Sequence, residues 1–155
     1  MPHFRAKRLV AVPARIAYAV AADVAAYKEF LPLLEQSLVS AVDEDGGSRR
    51  FRAELSVGYS KLRVREKFTS NVACDDTKQT VTATSQEPPF RNMKTVWTIR
   101  DISGQVEVTI DIDYAMRNPL LQIALGGVME MAVNKVMAAF EARARSVYAA
   151  AASSS

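Results

Sequence analysis

Glu66 is the residue whose type and spacing most suggest chemistry. At strand spacing it shares a face with Leu62, Val64 and Phe68, so an interior face would bury a carboxylate among apolar side chains. It is a candidate polar anchor for a pocket ligand, and it must then be protonated or act through a water because a carboxylate donates no hydrogen bond. The alternatives are a buried salt bridge or an edge position that reaches solvent.

Other signatures of catalysis are mostly missing from the sequence. His3 is the only histidine, which excludes a histidine-based triad or a multi-histidine metal site. Cys74 has no histidine to activate it, and no glycine-rich phosphate loop follows a strand. Asp111 and Asp113 share one strand face, which is expected to point to solvent. We therefore expect no catalytic residues, no metal and no catalytic cofactor.

Four basic side chains alternate with the apolar face of the Glu66 strand: Lys61, Arg63, Arg65 and Lys67. With Arg50 and Arg52 of the preceding strand they form a candidate positive surface. Such a surface attracts anionic lipid headgroups or ribosomal RNA. Acidic residues near position 111 are expected to pair with Arg5 and Lys7 instead. The alternative is an ordinary solvated sheet face.

The hexamer YKEFLP at residues 27–32 is unusually apolar for a connection between a helix and a strand. It places Phe30, Leu31 and Pro32 together. We expect it to cover either the core of the domain or an apolar ligand.

Length and composition predict one globular domain over residues 1–149 and a disordered or artificial tail over 150–155. The chain has 155 residues, of which 49% are hydrophobic, and its formal net charge is +3. The single cysteine implies no oxidising compartment. Pro13 and Arg15 interrupt the only stretch that resembles an export signal, and no apolar run reaches 18 residues. A cytoplasmic protein is expected.

The hydrophobic spacing predicts an α+β fold. A first strand precedes a helix that begins at Pro13 and carries Ile16, Val20 and Val24 on one face. A second short helix is expected near residues 27–30. Strands follow at about 35–43, 50–57, 61–73, 79–86, 93–102 and 105–116, separated by turn residues. From Pro119 the period is helical, which predicts one long helix to about residue 149 that packs on a curved antiparallel sheet.

This order of elements resembles the helix-grip fold of START-like and polyketide cyclase/dehydrase proteins. More specifically, the chain resembles the ubiquinone-binding START-like family, which includes the bacterial ribosome-association toxins. The resemblance covers about residues 3–148. Its motifs are YKEFLP, LSVGY at 55–59, EKFTS at 66–70, PPF at 88–90, Trp97 and the run from Asn118 to Tyr148. Gly127 and the methionine-rich helix depart from the family pattern.

The resemblance implies a cavity between sheet and long helix that binds ubiquinone or a related isoprenoid lipid. Its mouth would lie at YKEFLP, the Pro89-Phe90 turn and the start of the long helix. The expected ligand-binding residues are Phe30, Leu31, Pro32, Leu55, Glu66, Phe68, Phe90, Met93, Trp97, Leu121, Leu125, Val128, Met129 and Ala132. Glu66 would then face a quinone headgroup.

Gly126 and Gly127 lie in the middle of the predicted helix, where each glycine costs roughly 1 kcal/mol relative to alanine. Room for a ligand, close packing of a neighbour, or a kink would each explain them. Met129, Met131 and Met137 suit either an irregular apolar ligand or an ordinary core.

Three functions remain open. The first is a quinone chaperone that supports respiratory electron transport, with contact to an anionic membrane and a location at the inner face of the respiratory membrane. The second is an inhibitor of ribosomal subunit association that binds the large subunit. The third is a cyclase-type enzyme, which rests on fold analogy alone. DNA is not an expected partner.

Overall fold

Strands make up most of the structure, a computed structural model that describes residues 2–60 and 63–153. In those residues seven strands form one antiparallel sheet in the order β1-β7-β6-β5-β4-β3-β2. The strands are β1 His3–Val10, β2 Leu34–Asp45, β3 Ser48–Tyr59, β4 Val64–Asp75, β5 Thr80–Ser85, β6 Phe90–Ile102 and β7 Gln105–Met116. From β2 to β7 each strand pairs with the next one along the chain, as the spacing of turn residues predicts.

The predicted alternation of side chains is confirmed. Phe51 and Ala53 of β3 are buried, whereas Arg50 and Arg52, which alternate with them along the strand, are exposed. Leu55 lies opposite Phe68 of β4, and Val57 lies opposite Glu66. Because opposite residues of an antiparallel pair share a face, Glu66 belongs to the inner face of the sheet.

Two short helices follow β1. Helix α1 spans Ala14–Ala22 and buries Ala17, Val20 and Ala21, and a 3-10 helix spans Val24–Glu29. The Tyr27 hydroxyl donates a hydrogen bond to the backbone carbonyl of Ala21, which ties the two helices together. The predicted pair of short helices is therefore confirmed.

The predicted long C-terminal helix is confirmed, but its predicted start at Pro119 is wrong, because a separate short helix precedes it. Helix α2 spans Pro119–Gly126 and α3 spans Met129–Ser153, with a bend of 59° between them. A Cβ atom on Gly126 would meet nothing within 4 Å, so close packing does not explain the glycines. Both glycines are solvent-exposed and interrupt the helix, which confirms the kink.

The C-terminal end of α3 also differs from the expected tail. The helix continues to Ser153, so residues 150–153 are helical. This segment is rich in alanine, which has the highest helix propensity of all residues.

Helix α3 packs against the core through Val133, Met137, Phe140 and Ala144, all of which are buried and lie in its first two thirds. The Phe140 ring stacks on Trp97 of β6 with centroids 4.8 Å apart. A seven-stranded antiparallel sheet that holds a C-terminal helix is the predicted α+β helix-grip fold.

The edge strand β2 is irregular. Its pairing with β3 shifts register between Ser40 and Asp43, and Ala41 adopts a positive φ of 53°. These features define a β-bulge, which bends the strand and increases its twist.

Candidate functional site

A cavity of about 320 Å³ lies between the inner face of the sheet and the α2–α3 segment. This volume is at the lower end of the range for small-molecule sites, roughly 300–1,000 Å³. The strands contribute their inward side chains, the 3-10 helix and the following connection contribute one rim, and the first turns of α3 contribute the opposite wall.

Most of the residues predicted to bind a ligand line this cavity. They are Leu31, Pro32, Leu55, Phe68, Phe90, Met93, Trp97, Leu125, Val128, Met129 and Ala132. Met131 lines the cavity as well, whereas Met137 is plain core. Gly126 and Gly127 are not part of the wall.

Phe30, Glu66 and Leu121 lie outside the cavity lining. The Phe30 ring packs edge-to-face on Tyr27 at 5.9 Å, and the Arg143 guanidinium lies 5.1 Å from its centroid. Leu121 packs on a small cluster around Met116. Glu66 is half-buried beside the mouth and forms no ion pair with the described residues.

Sequence reasoning missed several wall residues, among them Ser70 on β4 and Thr95 and Tyr114 on the later strands. The signal that identifies them is the strand parity: Ser70 shares a face with Phe68, and Tyr114 shares a face with Ile110 and Ile112. Polar residue types obscured that signal.

The cavity wall is almost entirely apolar. Among the described residues that line it, none carries a charged side chain. Two of its few polar atoms, Ser70 Oγ and Tyr114 OH, are buried with no hydrogen-bond partner in the described part of the chain. Burial raises the pKa of the Tyr114 phenol, so the hydroxyl stays protonated at neutral pH. The arrangement suits a neutral, mostly apolar ligand.

Pro32 and Phe90, which are predicted to form the mouth, line the cavity together with Tyr59. Phe90 contacts Phe68 edge-to-face at 4.9 Å. Helix α2 lies beside this opening; its Leu125 lines the cavity, while Leu120 and Ile123 are 76% and 75% exposed. Asn118 caps α2 by accepting a hydrogen bond from the Leu120 backbone amide at 2.9 Å.

The basic surface predicted on the outer face of the sheet is partly neutralised. Arg65 pairs with Glu35 at 3.3 Å, and Lys67 pairs with Glu54 at 2.6 Å. The interpretation of an uncompensated basic strand is therefore wrong for these two residues. Arg63 is exposed, and Lys61 lies outside the described residues.

Arg50 and Arg52 remain exposed on the same outer face, and neither forms an ion pair with a described residue. At the other side of the sheet, Arg5 pairs with Asp111 at 2.6 Å, as predicted.

No single helix in residues 2–60 and 63–153 has the length and apolar composition needed to cross a membrane. Helices α2 and α3 meet those criteria only when they are taken together across their bend.

Comparison with known families gives a match over most of the chain. The profile for "polyketide cyclase / dehydrase and lipid transport" proteins matches residues 10–141. A protein named ribosome association toxin RatA from Pseudomonas aeruginosa is 29% identical over 148 residues, covering 94% of this chain and 97% of the relative. The RatA of Escherichia coli K12 is 29% identical over 154 residues, covering 97% of this chain and 91% of the relative.

Solved structures share the architecture. The 18 kDa protein CC1736 from Caulobacter crescentus superimposes with a TM-score of 0.82 at 25% identity, covering 96% of this chain and 99% of that one. The Zhui aromatase/cyclase from Streptomyces sp. R1128 gives a TM-score of 0.79 at 19% identity, with 93% of each chain covered. Because the aromatase/cyclase is only 19% identical to this chain, that similarity shows a shared fold alone.

Proposed function

Because the chain belongs to the polyketide cyclase/dehydrase and lipid transport family, we propose that it binds ubiquinone or a related isoprenoid lipid in the cavity. In this proposal the protein is a non-enzymatic quinone chaperone that supports respiratory electron transport. It would act in the cytoplasm, at the inner face of the respiratory membrane.

The observation that carries the proposal is the chemistry of the cavity wall, which is apolar and, among its described residues, uncharged. Burial of apolar ligand surface contributes roughly 25 cal/mol per Å². An isoprenoid chain therefore gains affinity wherever it contacts this wall or the apolar mouth. A phospholipid headgroup or a fatty-acid carboxylate would be buried there without a counterion, which is strongly unfavourable.

The same chemistry supports a binding protein over a cyclase-type enzyme. General acid–base catalysis needs a titratable group within hydrogen-bond reach of the substrate. Glu66 lies outside the lining, and the titratable residues among the described lining are Tyr27, Tyr59 and Tyr114. Burial raises the pKa of the Tyr27 and Tyr114 phenols, which makes them poor bases at neutral pH. The likeness to an aromatase/cyclase concerns the fold, which hosts many functions.

Extraction of the purified protein tests the proposal. The protein is purified from cells that make ubiquinone, extracted with organic solvent, and the extract is measured by ultraviolet absorbance and mass spectrometry. We expect co-purified quinone in the wild type and none in a Met129→Glu variant of unchanged melting temperature. A wild-type protein that carries no isoprenoid lipid, and takes up none from quinone-loaded vesicles, contradicts the proposal.

A second candidate function is binding of the large ribosomal subunit, with inhibition of subunit association. It is favoured by the relatives named ribosome association toxins, which match nearly the whole chain. Arg50 and Arg52 offer exposed cationic side chains for RNA phosphates.

Sedimentation distinguishes this second candidate. In sucrose gradients the protein should migrate with large subunits and lower the fraction of joined ribosomes. Arg50→Glu and Arg52→Glu together should release it, whereas Lys67→Glu, which alters a residue already paired with Glu54, should have a smaller effect. A protein that stays at the top of the gradient excludes this function.

A further inference from the structure

Two residues that line the cavity, Ser70 and Tyr114, have hydroxyl groups without a hydrogen-bond partner among the described residues, whereas neighbouring hydroxyls have one. Ser85 Oγ donates to the Thr69 carbonyl at 2.7 Å, and Thr95 Oγ1 donates to Met93 Sδ at 3.2 Å. Ser70 Oγ and Tyr114 OH have no such partner among the described residues, although Ser70 is 1% and Tyr114 is 0% exposed. A buried donor without an acceptor destabilises the folded state, so a ligand that supplies the acceptor gains that free energy on binding.

The charge of the wall restricts what the acceptor can be. The described lining residues include no cation to balance a carboxylate or a phosphate. An ionised group placed there would be desolvated without a counterion. The acceptor that matches two protonated hydroxyls in this setting is a neutral oxygen, such as a ring carbonyl.

We propose that the ligand enters the cavity polar end first, so that neutral ring carbonyls accept hydrogen bonds from Ser70 and Tyr114. The isoprenoid chain then leaves through the mouth beside α2. This proposal rests on the proposed function and adds the orientation of the ligand and the residues that hold its ring. It replaces Glu66 as the polar anchor.

The two residues lie on different strands of the inner face. Ser70 lies on β4 and Tyr114 on β7, with β5 and β6 between them. Because the hydroxyls come from separate strands, a ligand that accepts from both needs acceptors at two positions. A benzoquinone carries carbonyls at opposite ends of its ring, whereas a terminal alcohol offers one oxygen.

The path for the chain is apolar throughout. Phe68 and Phe90 line the way to the mouth, and Leu125 of α2 forms part of the wall. Beyond the mouth, Leu120 and Ile123 continue the apolar surface on the exposed side of the same helix. A chain too long for a cavity of about 320 Å³ would extend from it along this apolar surface of α2.

Ligand titration of three variants tests the orientation. The probes are a ubiquinone with a decyl chain and decylbenzene, which has the same chain and no carbonyl. Binding is measured by calorimetry and, for the quinone, by quenching of Trp97 fluorescence, since Trp97 is the only tryptophan and lines the cavity. The variants are Tyr114→Phe and Ser70→Ala, with Tyr18→Phe as control because the Tyr18 hydroxyl lies outside the cavity lining and already donates to Asp76 Oδ1.

We expect Tyr114→Phe and Ser70→Ala each to weaken quinone binding by roughly 2- to 10-fold, the effect of one lost hydrogen bond. Decylbenzene binding should stay unchanged, and Tyr18→Phe should change the binding of neither ligand. Ligand-free melting temperatures of the two test variants should be unchanged or raised, because each deletes an unpaired buried hydroxyl.

The outcomes separate this inference from the proposed function. If the wild type binds no quinone, the proposed function fails. If the wild type binds quinone and both test variants bind it equally well, the proposed function stands and the orientation is wrong. A loss of binding that is equal for quinone and decylbenzene also overturns the orientation, because it shows a general effect on the cavity.

Discussion

The inner face of the sheet has two halves that differ in how they are covered. The closed half lies under the middle of α3, where Phe140 stacks on Trp97 at the border of the cavity and Met137 belongs to the same core cluster as Val108, which is fully buried. The open half lies beside α2 and the first turns of α3, where the cavity separates helix from sheet. Several of the same strands run through both halves.

The difference arises in the helices. In the closed half, α3 presents buried side chains at positions 133, 137, 140 and 144, which follow helical spacing and form one continuous stripe. In the open half, α2 has no buried residue, and the bend at Gly126-Gly127 turns it away from the axis of α3. The bend of 59° thus separates the buried stripe of α3 from α2, which contributes only Leu125 to the described cavity wall.

The closed half should dominate stability. Phe140→Ala removes a buried ring that stacks on Trp97, and such substitutions cost about 3–5 kcal/mol. Urea unfolding followed by circular dichroism measures the loss. Leu120→Ala is the matched control in the open half; since Leu120 is 76% exposed, we expect a change within about 0.5 kcal/mol. Equal losses at the two positions would contradict the division into halves.

The open half should dominate binding. Leu125→Glu places a carboxylate on the cavity wall, and we expect at least ~100-fold weaker binding of the decyl quinone with little change in melting temperature. Asn134→Glu on the exposed side of α3 is the control, and it should leave binding unchanged because Asn134 does not line the cavity. If Leu125→Glu binds normally, the ligand occupies another site.

The reactivity of a thiol should differ between the closed half and the open half of the inner face. Cys74 is buried in the closed half, and this burial raises its pKa from 9.0 to about 11. Because the thiolate is the reactive form, alkylation at pH 8 should be about 100-fold slower than for an unperturbed thiol, and should accelerate up to about pH 11. A Leu125→Cys variant in a Cys74→Ala background should react rapidly and be protected by quinone. Equal rates for the two thiols would contradict the comparison.

The glycine pair should have the smallest effect. Gly126→Ala and Gly127→Ala meet no obstacle, since the nearest atom to a new Cβ is the Ala124 carbonyl oxygen at 3.7 Å from Gly127. Each should stabilise the protein by about 0.4–1 kcal/mol through the unfolded chain. Differential scanning calorimetry should show a melting temperature higher by about 2–4 °C per kcal/mol for a chain of this size. A decrease would indicate that the bend itself is needed for stability.

The sequence predicted the fold because each strand has a regular pattern with period two. The alternation at Phe51, Ala53 and Leu55 identified the inner face of β3, and the register then placed Phe68 on the same face. Local spacing identifies a face, but it does not tell how far the opposing surface lies from it. The cavity itself was therefore expected only from the family resemblance.

The wrong and missed predictions also arise because a local sequence pattern does not show the three-dimensional surroundings of a residue. One helical period runs through Gly126 and Gly127, so the sequence pattern alone does not reveal the bend. Glu66 alternates in step with Phe68, so the pattern assigns it to the inner face. It lies near the start of β4, however, where an inward-facing side chain can still reach solvent. Ser70 and Tyr114 carry hydroxyls, and residue type alone does not distinguish a paired hydroxyl from an unpaired one.

The bulge in β2 has a consequence for how the molecules behave in concentrated solution. At the edge of the sheet, a regular strand of twelve residues with Leu38 and Val42 exposed would offer its free backbone groups to a strand of a second molecule. The positive φ of Ala41 and the register shift before Asp43 break that row of groups, and the acidic run at 43–45 repels an identical edge. Growth of the sheet from one molecule to the next is thereby obstructed by the backbone of the edge strand itself.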